Sequence, residues 1–168
     1  YPGLTGQISG DRQPVHSVYG GAHLWSSKVP EKMGQLALKH LKQFAPDGEA
    51  LASALGITNS APALNRRIYQ RIEEKLHREP IEDFRIDFED GYGNRPDKEE
   101  DEQAVIAAKE VIKGYQETSL PPFLGIRIKP FTLELHKRSL RTLEIFIKTL
   151  AGDKEGGIPE NFIITLPK

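Results

Sequence analysis

Three carboxylates crowd one short stretch, Asp87-Phe88-Glu89-Asp90-Gly91-Tyr92-Gly93. A second apolar stretch, Phe123–Ile128, carries one arginine, Arg127, between Ile126 and Ile128. Carboxylates can move protons, hold a hard cation or fix an arginine. An arginine can receive a carboxylate ligand through two parallel N–H bonds. With a side-chain period of two, Phe84, Ile86 and Phe88 share one face of a strand and Arg85, Asp87 and Glu89 the other. The same rule groups Leu124, Ile126 and Ile128 against Gly125, Arg127 and Lys129. A strand of a parallel sheet is normally buried on both faces, so charges on one face need partners, a ligand or water. Glu89 and Asp90 fall at the carboxyl end of their strand, where ligand sites collect in parallel α/β folds. An ion pair between Arg127 and Asp87 or Glu89 that serves structure alone is the competing reading.

The elements that must position these groups alternate. Short apolar runs read as strands at Val15–Tyr19, Phe84–Phe88, Phe123–Ile128 and Phe162–Leu166. Between them lie helical patterns at Glu31–Phe44, Glu49–Leu55, Ala63–Leu76, Asp97–Glu117 and Thr132–Leu150. Prolines and glycines punctuate the boundaries. Leu64, Ile68, Ile72 and Leu76 are expected to form a buried stripe, as are Leu133, Leu140, Leu143 and Ile147. Acidic Asp97–Glu102 reads as the dipole-complementing first turn and solvated face of a helix. The strand–helix order implies parallel strands with right-handed crossovers. On pattern alone, a doubly wound sheet and a (β/α) barrel both remain open. Four strands in 168 residues amount to about half of an eight-fold barrel of roughly 250 residues.

The first strand offers less. His16 lies within it, and Tyr19-Gly20-Gly21-Ala22-His23 follows at its exit, where glycines allow a ligand to approach backbone N–H groups. His16 and His23 have no metal spacing and read better as packed or solvent-facing side chains.

Composition closes off several classes. The formal net charge is −1, and 28% of residues are charged with mixed signs. That leaves no basic excess for nucleic acid. There are no cysteines, which excludes disulfides, cysteine–zinc sites and thiol nucleophiles. No apolar run approaches the roughly 20 residues of a membrane span, and a cytoplasmic location is expected. Tyr1-Pro2-Gly3 reads as a start inside a longer gene product. The P-loop, HExxH, GxSxG and EF-hand motifs are missing from the sequence, and the GxG at Gly91–Gly93 is a turn signal.

Four segments resemble the HpcH/HpaI aldolase and citrate lyase beta-subunit family of the phosphoenolpyruvate/pyruvate barrel superfamily. Gln13-Pro14-Val15-His16-Ser17-Val18-Tyr19 is similar to its first strand. Ile86-Asp87-Phe88-Glu89-Asp90-Gly91 is similar to its second, and malate synthases carry a similar run. Leu124-Gly125-Ile126-Arg127-Ile128 resembles the third strand with its substrate arginine. Phe162-Ile163-Ile164-Thr165-Leu166-Pro167-Lys168 resembles the fourth, which commonly ends in Pro-Lys. Arg12 ahead of Pro14, His16 within the first strand and the long helical stretch before the second depart from the family pattern.

The resemblance implies an α/β fold: a (β/α)8 TIM barrel of the phosphoenolpyruvate/pyruvate type, with the first four strands present. Residues 1–168 would form the N-terminal half of a single barrel domain, with a helical insertion around 31–79 and four further strands beyond Lys168. It implies a Mg²⁺-dependent carbon–carbon lyase, aldolase- or citrate-lyase-like, acting on a small 2-oxo acid or acyl thioester through an enolate. Arg127, Asp87 and Glu89 would be catalytic. Arg127, His16, Gly125 and Lys168 would bind substrate. Glu89 and Asp90 would reach Mg²⁺ through water, its main ligands lying beyond Lys168. The implied partners are a small carboxylate, with a coenzyme A thioester as one form, and a second copy of the chain, without nucleic acid or membrane. Phosphoenolpyruvate-dependent phosphoryl transfer and a non-catalytic barrel are the alternatives.

Overall fold

The computed structural model describes residues 12–57, 59–152 and 157–167. Four short strands form one all-parallel sheet: β1 (Ser17–Gly21), β2 (Asp83–Asp87), β3 (Phe123–Arg127) and β4 (Phe162–Thr165). Their spatial order is β1-β2-β3-β4, so each strand pairs with its neighbour in the chain. A doubly wound sheet would reverse direction about its first strand, and no such reversal is present among these four. Helices α1 (Val29–Phe44), α2 (Gly48–Ala54) and α3 (Pro62–Arg78) separate β1 from β2. Helix α4 (Asp97–Gln116) joins β2 to β3, and α5 (His136–Gly152) joins β3 to β4.

The even-numbered strand residues build the core. Phe84, Ile86, Phe88, Leu124, Ile126 and Ile128 are buried against Ala104, Ala107, Ala108 and Val111 of α4 and Phe146 and Leu150 of α5. Three alanines on one face of α4 let the helix lie close to the sheet. Burying each large aliphatic side chain contributes about 1.5–3 kcal/mol. The odd-numbered residues of β2 and β3 face the opposite side and carry the charges.

Several boundaries and faces differ from the sequence expectation. Strand β1 begins two residues later than Val15, because the Val15 N–H is taken by the Glu82 carboxylate at 2.7 Å rather than by a ladder. Strand β3 ends at Arg127, so Lys129 leaves the polar face. Its ammonium is buried instead, donating to the Phe88 and Gly93 carbonyls and to Glu100 at 2.7 Å. Glu100 is therefore no part of a solvated face: it is fully buried and also accepts from Thr142 at 2.6 Å.

In α3 the half-exposed residues are Leu64 and Ile68, and Asn65 and Tyr69 are buried. Asn65 bonds Glu49 of α2 and accepts from Ser60. Those polar contacts and the close α2 packing rotate the helix away from its apolar stripe. In α5, Leu133 precedes the helix and is 89% exposed, and Leu140 is half exposed. Ser139, Thr142, Phe146 and Leu150 are buried, because Ser139 and Thr142 bond to Lys129 and Glu100.

Candidate functional site

The polar face of the sheet has two tiers. In the lower tier, Asp83 of β2 accepts from Ser17 of β1 at 2.5 Å and from Arg85 Nε and Nη2 at 2.9 and 2.8 Å. Arg85 then reaches over β3 to Thr165 of β4 at 3.2 Å. Gly125 makes that crossing possible: a Cβ there would sit 2.0 Å from the Ile163 carbonyl oxygen and 3.2 Å from Arg85 Nη1. This tier is a balanced, largely buried ion pair spanning all four strands.

The upper tier lies at the carboxyl ends. Asp87 ends β2 and Arg127 ends β3, directly paired in register. Arg127 donates from Nε to Asp87 Oδ1 at 2.8 Å and from Nη2 to Oδ2 at 2.6 Å. Asp87 also accepts from the backbone N–H groups of Glu89 and Gly91 at 2.9 and 2.7 Å. Asp87 thus shapes the turn that brings Glu89 and Asp90 around the arginine. Gly91 is needed in that turn, since a Cβ there would meet Asp87 Oδ2 at 2.6 Å and the Gly21 backbone beyond it. Burial works against the Asp87 charge, but Arg127 and the two N–H donors outweigh it and hold the carboxyl below its ordinary range. Arg127, bound first of all to Asp87, is held protonated more firmly than usual.

The second edge of the guanidinium is more loosely engaged. Nη1 lies 3.1 Å from Glu89 Oε2 and Nη2 lies 3.7 Å from Asp90 Oδ2. The Glu89 oxygen sits off the N–H direction, so it is buried without a hydrogen bond. Asp90 is mostly exposed. Beneath the guanidinium lies the Tyr19 ring, 4.8 Å from Cζ to centroid. Glu89 and Asp90 continue into a cleft of about 320 Å³ bounded by Asn94, Lys129, Pro130 and Leu135. A larger groove of about 450 Å³, lined by Leu38, Leu76, Pro80 and Leu120, opens between α1, α3 and the turn before β3. It is at the amino-terminal end of the strands, away from these charges.

Arg127, Asp87, Glu89 and Asp90 are therefore brought together. Gly125 is one tier below them, under Arg85. His16 is exposed at the other end of β1, its Nε2 3.5 Å from the Glu82 N–H. Lys168 lies outside the described residues. Tyr19 belongs to the site although the sequence reading gave it no role there. Its odd number in β1 was the available signal, obscured by the strand boundary being set two residues early. Among the described residues, no group of three or more His, Asp or Glu side chains converges to hold a metal ion, and no helix is long and apolar enough to cross a membrane.

Residues 1–168 match, over the whole chain, the profile of a family described as a domain of unknown function, DUF6986. The chain belongs to that family. No curated protein and no solved structure matches it. The family description assigns no chemistry, so the functional reading rests on the site.

Proposed function

We propose that the chain carries the carboxylate-binding half of a barrel enzyme that makes or breaks carbon–carbon bonds through an enolate. The observation that carries this reading is the Arg127–Asp87 pair. Asp87 occupies the Nε–Nη2 edge of the guanidinium; the Nη1–Nη2 edge, held only loosely by Glu89 and Asp90, lies at the mouth of a parallel sheet, where a small carboxylate that displaces them can meet it bidentately. The chain-order succession of strands supports a barrel rather than a doubly wound sheet. No histidine is among the groups that contact Arg127 in the described residues, which favours this reading over phosphoryl transfer by way of an imidazole.

Charge favours a cation in the same place. Three carboxylates surround one guanidinium, so an anion would enter a site that is already negative. Glu89 and Asp90 offer oxygens not committed to hydrogen bonds, the donor type that a hard cation takes. They would reach Mg²⁺ through water and not as its main ligands. Bound there, Mg²⁺ would supply the Lewis acidity that stabilises enolate charge.

The chain's own residues do the rest. Arg127 anchors the substrate carboxylate and meets developing negative charge. In cleavage of a 4-hydroxy-2-oxo acid, a base takes the hydroxyl proton, the carbon–carbon bond breaks, an aldehyde leaves and the electron pair remains as the enolate, which is then protonated. Glu89, partly exposed and with one oxygen buried without a hydrogen bond, is the carboxylate placed to hold or pass on that proton. Asp87 has both oxygens occupied and stays ionised, so it positions the others. A coenzyme A thioester as substrate and a second copy of the chain as partner belong to the same proposal.

Enolate formation can be tested without knowing the aldehyde. With Mg²⁺ in D₂O, the protein is expected to exchange the methyl protons of pyruvate, followed by ¹H NMR. Arg127→Ala should abolish the exchange. Failure of the unmodified protein to exchange them counts against enolate chemistry.

A further inference from the structure

Tyr19 lies against Arg127, and the mechanism gives it no task. It stands on β1, whereas Arg127 stands on β3, and β2 runs between them. Adjacent strands are about 4.8 Å apart, so the two side chains meet by reaching across roughly twice that distance. The ring is 48% exposed, which makes it a minor contributor to the core. Its position is nonetheless specific: Cζ of Arg127 lies over its ring, 4.8 Å from the centroid, and the Nε–Nη2 edge of the same guanidinium is bonded to Asp87.

A guanidinium gripped along one edge can still tilt about that edge. An aromatic ring against its face resists the tilt, because the negative ring face attracts the cation. The same ring face repels anionic oxygen. A carboxylate that meets the Nη1–Nη2 edge keeps both oxygens in the guanidinium plane. A phosphate that meets it with two oxygens must place its others above and below, one of them toward the ring.

We propose that the Tyr19 ring lies flat against Arg127 and makes Tyr19 a positioning and specificity residue: with Asp87 it fixes the plane of Arg127, so that the outer Nη1–Nη2 edge, which Glu89 and Asp90 engage only loosely, takes a planar carboxylate in preference to a tetrahedral oxyanion. This rests on the carboxylate reading of the site and adds the residue that selects the geometry of the anion.

The test uses the full-length protein with Mg²⁺ and the variants Tyr19→Leu, Tyr19→Phe and Tyr19→Trp. Two readouts are taken. The first is the Arg127 Nε–H resonance in arginine-selective ¹⁵N spectra, assigned by its loss in Arg127→Lys. The second is calorimetric affinity for oxalate and for inorganic phosphate. Tyr19→Leu is expected to shift or broaden the resonance. It should also weaken oxalate about fivefold, the size of a partly exposed cation–π contact, without weakening phosphate. Tyr19→Phe and Tyr19→Trp should restore both readouts.

An unchanged resonance together with an unchanged oxalate-to-phosphate ratio in Tyr19→Leu overturns the proposal. A preference of the unmodified protein for phosphate overturns its specificity half. If the unmodified protein binds no oxalate, the carboxylate reading fails. The positioning role is then decided by the resonance alone, supported by a shift in Tyr19→Leu and overturned by none.

Discussion

Arg127 of β3 and Asp87 of β2 face each other in register and are joined by two parallel hydrogen bonds of 2.8 and 2.6 Å. Asp87 has almost no solvent exposure and Arg127 is at the rim, with 21% of its side chain exposed. The pair therefore has a buried side that serves the fold and an open side at the mouth of the sheet.

Removing the arginine should expose both roles. Arg127→Ala leaves Asp87 ionised and buried with only the Glu89 and Gly91 N–H groups as partners. Breaking a buried pair costs about 3–5 kcal/mol, and the two remaining donors place this case near 3. The melting temperature should fall by about 10 °C, with the circular dichroism spectrum of the folded state retained. A variant as stable as the unmodified protein would show that Asp87 does not need its partner.

Stability should also fall on acidification, with Asp87 among the causes. Its folded pKa is lowered, so the unfolded chain binds the proton more readily. The stabilisation is present in full above the ordinary carboxylate range, from about pH 5 upward, and is lost as pH falls through that range toward the folded pKa. Asp101 and Glu82 are shifted in the same direction, Asp101 by Arg141 and Arg138 against its burial, and Glu82 by Lys75 and the Val15 N–H. Urea denaturation at pH 7, 5 and 3.5 should give a steadily falling unfolding free energy. Asp87→Asn should be less stable at pH 7 and show a shallower decline. A decline equally steep in that variant would remove Asp87 from the account.

Lys129 and Glu100 make a second buried pair, and its lysine also holds the Phe88 and Gly93 carbonyls of the turn that carries Glu89 and Asp90. Lys129→Met should cost about 3 kcal/mol, because it removes the closest cation from a buried carboxylate and leaves it with Thr142 and, at 3.5 Å, Arg138 Nε. The double variant Lys129→Met, Glu100→Leu should recover most of that loss. Denaturant unfolding of the unmodified protein, the two single variants Lys129→Met and Glu100→Leu, and the double variant measures the coupling; additive single and double effects would mean that the two groups do not interact.

Gly125 should tolerate no side chain. A Cβ would come within 2.0 Å of the Ile163 backbone, so Gly125→Ala must push β4 away or strip Arg85 from Thr165. Hydrogen exchange at β4 amides should accelerate by at least an order of magnitude, while α4 amides change little. Unchanged protection of β4 would mean that the β3–β4 register differs from the one described.

The strand–helix alternation and the alternation of faces along β2 and β3 could be read from sequence because each rests on local periodicity. Asp87 and Arg127 stood out for the same reason: a charge within an apolar strand needs a partner. What could not be read depended on contacts between distant segments. The burial of Glu100 follows from Lys129, 29 residues further on. The rotation of α3 follows from Asn65 meeting Glu49. Tyr19 enters the site only because β1 and β3 flank β2, an arrangement that no spacing within β1 encodes. Within the site, sequence identified the charges and missed the ring that lies against Arg127.

Calorimetric titration of oxalate tests most directly whether the outer Nη1–Nη2 edge of Arg127 receives a carboxylate with Mg²⁺ alongside. The unmodified protein should bind oxalate with Mg²⁺ present and lose that binding in EDTA. Arg127→Ala should weaken it by about two orders of magnitude, as expected for loss of a charge-assisted, bidentate contact. Arg127→Lys should fall between the two, having charge without the fork. Oxalate bound equally well by Arg127→Ala, or bound by the unmodified protein irrespective of Mg²⁺, would contradict the account.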